Sequence, residues 1–268
     1  MKISNSKLRV PRSALRAQRP YVVVNMSMTA DGKIATTNRA VSSFGSKQDH
    51  DHLLALRATA DAVMSGARTV DLNKVNLSPG GTKYRKLRLK RGLAEGNLRI
   101  IVSGSGSIDP QAHIFRNVAA SRQSAANQTK RRAALSRDAA THQGPIIILT
   151  TARAGKSRLT KLRTVADEVK VFGKTELNLH AALRWLHKRW NVRRLICEGG
   201  GELNDAMFRA DLVDELYLTL CPRIIGGREA PTIAEGAGHK TLSAAKNLQL
   251  CATRKVGNEL FLTYARTT

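Results

Sequence analysis

The chain has 268 residues, 42% of them hydrophobic and only 4% aromatic, with 45 Lys and Arg against 20 Asp and Glu for a formal charge of +25. That length supports a sizeable aliphatic core, and no apolar run is long enough for a membrane span. The basic opening segment, with Lys2, Lys7, Arg9, Arg12, Arg16 and Arg19, has no apolar block and is not expected to act as a secretory signal; residues 1–19 read as a solvated tail, although their composition resembles an organelle transit peptide.

In chain order, "YVVVNMSM" (Tyr21 to Met28) is a β-branched run closed by the turn-like Asp31-Gly32, and reads as a strand. "KQDHDHLLALRA" places Leu53, Leu56 and its alanines at helical spacing, and "DAVMSG" follows as a short buried strand. "LRIIVSG", "PIIILTT" and "DEVKVFG" are three more runs of strand length. Between the first two of these, the polar, alanine-rich and basic stretch from about 117 to 144 is too long for an ordinary connection and is expected to be a mobile insertion. "NLHAALRWLHKRW" predicts the clearest helix, capped by Asn178, with Leu179, Ala182, Leu183 and Leu186 as one apolar stripe. The strand "RLIC" leads through glycines into a helix with Leu203, Ala206, Met207 and Ala210 on one side. "DELYLTLCP" alternates as a strand should, and "NLQLCA" with "NELFLTY" reads as a closing antiparallel pair. Alternating strands and helices without a linker predict one α/β domain over residues 20–268, with a mostly parallel sheet and antiparallel strands at its C-terminal edge.

The charge excess lies in the tail, in "KYRKLRLKR" (Lys83 to Arg91) and in "SRQSAANQTKRRAALSR" (Ser121 to Arg137), which read as solvated faces and flexible segments. Such a surface attracts polyanions and captures phosphorylated small molecules, but no helix-turn-helix, zinc-finger or aromatic RNA-binding signature accompanies it. Weak non-specific polyanion binding is therefore expected rather than specific nucleic-acid recognition. Cys197, Cys221 and Cys251 are odd in number and sit in apolar runs, so they read as reduced core cysteines of a cytoplasmic protein. No metal-ligand spacing is present among the histidines: His50 and His52 would diverge on a helix.

"LICEGGGELND" (Leu195 to Asp205) carries the chemistry. A strand feeding a glycine turn into a helix makes an anion site, because first-turn N–H groups lack acceptors and glycines allow a phosphate close to the backbone. The pattern is neither the Rossmann fingerprint, since Asn204 stands where that has glycine, nor a P-loop. A tight strand–helix turn would explain the glycines equally well. Glu198, at the carboxyl end of its strand, faces the crevice where α/β proteins bind ligands; a helix-dipole partner is its plainer role.

"RPYVVVNMSMTADGKIAT", "LRATADAVMSGARTV" and "EGGGELNDAMFRADLVDELYLTLCPRIIGGREAPT" together resemble the pyrimidine reductases of riboflavin biosynthesis, over approximately Arg19 to Tyr264. The resemblance implies a dihydrofolate-reductase-like, three-layer α/β/α fold, a homodimer, and NADPH-dependent reduction of a ribosylamino-pyrimidine 5′-phosphate, in its diamino-pyrimidinone or amino-uracil form, to the ribitylamino product. It further implies that Lys33 contacts substrate and donates a proton as the ribose opens, that Glu198 sits at the substrate, and that Arg57 and Asn25 bind it. Thr69 and Asn73 would face the cofactor, with Gly199, Gly200, Gly201, Glu202 and Leu203 forming its loop. Read alone, Lys33 is a solvated turn lysine and Arg57 a surface helix residue. The departures concern ligand loops: Asn73 replaces an aspartate, Gly80 an arginine and Ser43 a tryptophan, with Arg85 or Lys86 candidates for the missing phosphate contact. The deaminase signature His-x-Glu with Pro-Cys-x-x-Cys is absent, so a stand-alone reductase is expected. Reduction of another pterin, imine or carbonyl substrate, and a non-catalytic nucleotide- or nucleic-acid-binding protein on the same fold, remain the alternatives.

Overall fold

The computed structural model describes residues 18–39, 44–72, 75–116 and 143–267. Its strands are β1 (Tyr21–Thr29), β2 (Ala62–Gly66), β3 (Leu98–Ser103), β4 (Ile146–Thr150), β5 (Glu168–Val171), β6 (Arg194–Cys197), β7 (Glu215–Cys221), β8 (Leu248–Val256) and β9 (Glu259–Arg266). Its helices are α1 (Lys47–Arg57), α2 (Ala67–Leu72), α3 (Thr82–Lys90), α4 (Gly155–Val165), α5 (Leu179–Trp190) and α6 (Gly201–Arg209). The strands form one sheet in the order β5-β4-β3-β2-β6-β1-β7-β9-β8. It is parallel from β5 to β7, and β9 pairs antiparallel with both β7 and β8.

Alternation along each strand divides the core into two layers. Val23, Val63, Ile101, Ile148 and Ile196 pack against Leu56 of α1, Val70 of α2 and Leu162 of α4. Val22, Val24, Met64, Ile100 and Leu195 pack against Leu183 and Leu186 of α5 and Met207 of α6. Each such buried aliphatic side chain contributes about 1.5–3 kcal/mol by leaving water. The outcome is the three-layer α/β/α arrangement.

Helix ends follow the local chemistry. The Asn178 side chain accepts from Ala181 N–H at 3.0 Å, starting α5, and Asn191 in the left-handed region closes it. α1 is capped by Ser46, whose own N–H and hydroxyl donate to Glu259 of β9 at 2.7 and 2.6 Å. Arg19 forms a bidentate pair with Asp214 at 2.7 and 2.8 Å, so this end of the basic tail is part of the fold. Residues 1–17, and 117–142 of the expected insertion, lie outside the described residues.

Two readings need correction. "KYRKLRLKR" is not simply a solvated basic face: most of it is α3, with Tyr84 and Arg88 buried against the end of α1. Its apolar stripe is interrupted by the buried arginine, which hides the helix from a periodicity argument. Cys251 is not a core cysteine either, since it is exposed on the outer strand β8 at a register irregularity between Leu250 and Ala252, while Cys197 and Cys221 are buried. An apolar run on an edge strand can face solvent. The fold also segregates charge: residues 152–193, spanning α4, β5 and α5, hold eleven Lys and Arg against three Asp and Glu, whereas residues 194–267 hold nine of each. The cation excess of the described chain is thus concentrated away from the β8–β9 end.

Candidate active site

β6 enters the sheet between β2 and β1, although it follows both in sequence by a long interval. The carboxyl ends of β1, β2 and β6 therefore form the switch point at which open α/β sheets hold ligands. Glu198 is the first residue past β6, and its N–H donates to Met64 O at 2.8 Å, extending the pairing with β2. The Gly199 carbonyl accepts from Gly66 N–H at 3.0 Å and from the Ser65 hydroxyl at 3.2 Å. Gly199 and Gly200 then turn the chain at φ of 52° and 91°, values that side chains rarely adopt.

The glycine turn is held from below and from one side. Asn204, fully buried, donates through Nδ2 to Ile233 O at 2.8 Å, and its amide occupies the space a Cβ on Gly199 would need. A Cβ on Gly201 would lie 2.6 Å from Thr232 O, and Glu235 N–H donates to Gly201 O at 2.9 Å. The segment 225–235 also reaches the other side of the cleft. Lys33 forms a bridge with Thr232, and its Nζ donates to Ala230 O at 3.0 Å. Asp31 fixes the same turn by accepting from Thr29 Oγ1 at 2.5 Å and Gly226 N–H at 2.7 Å, and those hydrogen bonds hold its carboxyl down to about 2. Lys33 is half-buried rather than a freely solvated turn lysine.

Side-chain alternation on β6 sends Leu195 and Cys197 to the α5–α6 layer and Ile196 to the α1 layer, so Glu198 also points toward α1. There it meets Arg57, the last residue of α1. Nε donates to Oε1 and Nη2 to Oε2, both at 2.6 Å, with the two side chains 8% and 12% exposed. The third edge of the guanidinium, Nη1, donates to Ser78 O at 2.7 Å. Arg57 is thus a buried residue, contrary to the surface role read from it alone, and its fork is turned to Glu198. Charge-assisted bidentate pairs of this kind are the strong ones.

Asn25 is buried on the face of β1 shared with Ser27, whose hydroxyl donates to Asp49 of α1 at 2.7 Å. His52 of α1 packs between Tyr217, tilted at 5.7 Å between centroids, and Phe261, edge-on at 5.4 Å, and burial with the nearby Arg254 charge pulls its imidazole down to about 4. Arg85 pairs with Glu95 at 3.1 Å and reaches Thr82 at 3.0 Å, and Lys86 is exposed; neither contacts Arg57 or Glu198 in a recorded hydrogen bond. Asn73 and Ser43 lie outside the described residues. Sequence reasoning missed Asn204, His52, Ser65 and Ser78. Only Asn204 left a signal, as the residue that breaks the third glycine of the dinucleotide pattern.

The donors at the glycine turn are of the kind a diphosphate requires. The cap residue Gly200 supplies no side-chain acceptor, so the first-turn N–H groups of Gly201, Glu202 and Leu203 have no intrahelical partner. Thr69 stands at the rim, its Oγ1 3.3 Å from where a Cβ on Gly200 would lie. The adjacent carboxylates are each matched by a cation: Glu202 by Arg68 at 3.1 Å, and Glu235 by Arg39 at 2.9 and 3.1 Å.

A parallel sheet with a glycine turn opening a helix and a buried ionisable pair at its switch point defines an α/β nucleotide-using enzyme. The chain belongs to the RibD C-terminal domain family, whose model matches residues 20–262. It is 29% identical over 253 residues, 92% of this chain and 98% of the relative, to the 2,5-diamino-6-ribosylamino-4(3H)-pyrimidinone 5′-phosphate reductase of Methanothermobacter thermautotrophicus. A protein of the same name from Archaeoglobus fulgidus is 30% identical over 218 residues, 81% of this chain and 87% of that one. Among solved structures, a pyrimidine reductase-like protein from Corynebacterium diphtheriae shares the fold at a TM-score of 0.72 and 22% identity, over 97% of this chain and 96% of its own. The chain spans 60% of the length of Acinetobacter baumannii RibD, which it matches at a TM-score of 0.67 and 17% identity over 95% of this chain. Reduction in this family implies a nicotinamide cofactor. Among the described residues no helix is long and apolar enough to cross a membrane.

Proposed function

We propose that the chain reduces a ribosylamino-pyrimidine 5′-phosphate, as the diamino-pyrimidinone or the amino-uracil, to its ribitylamino product with NADPH, acting as one reductase domain from residue 20 onward. The observation that carries this reading is the buried Arg57–Glu198 pair, whose Glu198 directly precedes the glycine turn that opens α6 without a side-chain cap. Bound cofactor would supply a hydride. The N–H groups of Gly201, Glu202 and Leu203 would hold its diphosphate, with Thr69 at the rim and Asn73 as a further contact. The preference for NADPH over NADH draws support from the abundance of Arg and Lys.

On the substrate, ring opening moves a proton from the exocyclic nitrogen to the ring oxygen and leaves an imine at C1′. Hydride addition at C1′ then requires a proton at nitrogen, so one hydride and one proton are consumed. Lys33, held by Ala230 O at the mouth of β1, is the proposed donor to the ring oxygen. Glu198 and Arg57, with Asn25, would orient the pyrimidine and ribose, since hydride transfer depends chiefly on placement. A homodimer belongs to the same proposal. So does a cytoplasmic setting.

The test is NADPH fluorescence titration followed by NADPH oxidation with both pyrimidine phosphates, with Lys33→Ala and Glu198→Gln as controls. Saturable NADPH binding and oxidation with one of them, lost in both variants, is expected. Absence of NADPH binding at cellular concentrations would overturn the reading. Gly80 stands where the family pattern has an arginine, and Ser78 of the same segment takes Nη1 of Arg57, so oxidation only with other carbonyl, imine or pterin substrates would reassign the substrate while keeping the reductase.

A further inference from the structure

Arg88 of α3 is one of the most deeply buried side chains in the molecule, at 1% exposure. Its Nη1 donates to the carbonyls of Arg57 at 2.9 Å and Ala60 at 2.5 Å. Its Nε donates to Ala94 O at 2.8 Å and its Nη2 to Gly96 O at 3.4 Å. Among the described residues it forms no recorded ion pair, and burial pulls its guanidinium down to about 10. One helical turn later, Nη1 of Arg91 reaches Ala58 O at 3.3 Å. The last carbonyls of a helix have no intrahelical donor and carry its negative dipole end. Water usually satisfies them, but Arg57, Ala58 and Ala60 are all buried, and α3 supplies cations instead.

We infer that Arg88 is a positioning residue for the Arg57–Glu198 pair, holding the Arg57 guanidinium in register from both sides. On one side it fixes the backbone of Arg57 itself through the Arg57 and Ala60 carbonyls. On the other it fixes Ala94 and Gly96, next to Asn97, whose Nδ2 donates to Leu77 O at 2.9 Å. Leu77 precedes Ser78, whose carbonyl takes Nη1 of Arg57. A neutral side chain at position 88 would strip that donor from the buried Ala60 carbonyl and from Ala94 O, leave Arg57 O only the long 3.3 Å bond from Ala60 N–H, and loosen the last turn of α1. The bidentate geometry tolerates little such movement. The meaning of that geometry for substrate rests on the function proposed above; the geometry itself does not.

The natural control is Arg99, which is equally buried at 1% and likewise donates to carbonyls, of Gly144 at 3.0 and 2.8 Å and Ile114 at 3.3 Å, but has no recorded bond to α1 or the Ser78 segment. The experiment compares Arg88→Met, Arg88→Lys and Arg99→Met by nitrogen-15 NMR of arginine Nε–H groups, with Arg57→Lys to assign the Arg57 signal. In the unsubstituted protein the Arg57 Nε–H is expected to exchange slowly. In Arg88→Met its exchange should accelerate on the order of ten-fold, with an intermediate effect in Arg88→Lys and none in Arg99→Met. In the reductase assay, Arg88→Met should raise substrate KM by about ten-fold, leave the NADPH Kd unchanged, and add nothing further in an Arg57→Lys background.

An unchanged Arg57 signal in Arg88→Met would overturn the inference, as would an equal change in Arg99→Met. If Arg88→Met does not fold, Arg88→Lys decides by the same criterion. If the unsubstituted protein turns over no pyrimidine phosphate, the proposed function fails, and the NMR comparison still decides the role of Arg88.

Discussion

Arg57 and Glu198, 141 residues apart in the chain, meet through two hydrogen bonds of 2.6 Å on the α1 side of the sheet. Removing one partner strands the other charge where water reaches it poorly. Glu198→Gln is therefore expected to lower the stability of the protein by about 3 kcal/mol, seen as a lower urea midpoint at unchanged slope. The double variant Arg57→Met/Glu198→Leu should recover much of that loss. A cost for the single variant of less than about 1 kcal/mol would class the pair with exposed surface bridges and weaken its role as an anchor.

His52 predicts a pH dependence unrelated to catalysis. Its imidazole, at about 4 in the fold against 6.5 as the ordinary value, binds a proton more readily when unfolded. The stability it contributes is thus present above pH 6.5 and lost as pH falls from 6.5 toward 4. Thermal midpoints of the native protein and His52→Gln across that window should show a steeper acid decline for the native chain. Parallel curves would contradict this account.

Gly201 and Gly66 make a matched comparison at the glycine turn. A methyl group on Gly201 would press against Thr232 O at 2.6 Å, a backbone atom that cannot swing aside, whereas one on Gly66 would find its nearest neighbour, Gly199 O, at 3.5 Å. Gly201→Ala should cost about 1–3 kcal/mol and weaken nicotinamide nucleotide binding in a fluorescence titration. Gly66→Ala should stay within about 0.5 kcal/mol of the native protein. Equal effects would mean that the 232–235 segment yields.

The three cysteines should separate cleanly in a thiol titration of the native protein. Cys251 is exposed and should react at once, as a single equivalent. Cys197 and Cys221, buried and pushed up to about 12 mainly by desolvation, should react only after denaturant is added. A Cys251→Ser variant that still shows one fast thiol would disprove the assignment.

Much of this architecture was legible from local patterns. Strands β1 to β7, the Asn178 cap with its Leu179–Leu186 stripe, and the glycine turn after Cys197 each announce themselves within a dozen residues, because burial on one face imposes period 2 or 3.6 and a tight turn demands glycine. The pairing of "NLQLCA" with "NELFLTY" was legible for the same reason, as adjacent apolar runs joined by a short turn. The helix α3 was not, because Arg88 occupies an inward position where periodicity expects an apolar residue.

By itself, then, the order of residues determined most of the elements and the glycine turn between β6 and α6, since both arise from neighbours in the chain. Only tertiary structure decided that β6 lies between β2 and β1, and from that insertion follow the contacts no spacing rule could supply. Glu198 faces Arg57, Asn204 fills the space beneath Gly199, and Arg88 reaches the carbonyls at the end of α1. The physical reason is that a buried charge or polar group must find its partner in whatever element the sheet order brings beside it, and sheet order is set by the packing of the whole core.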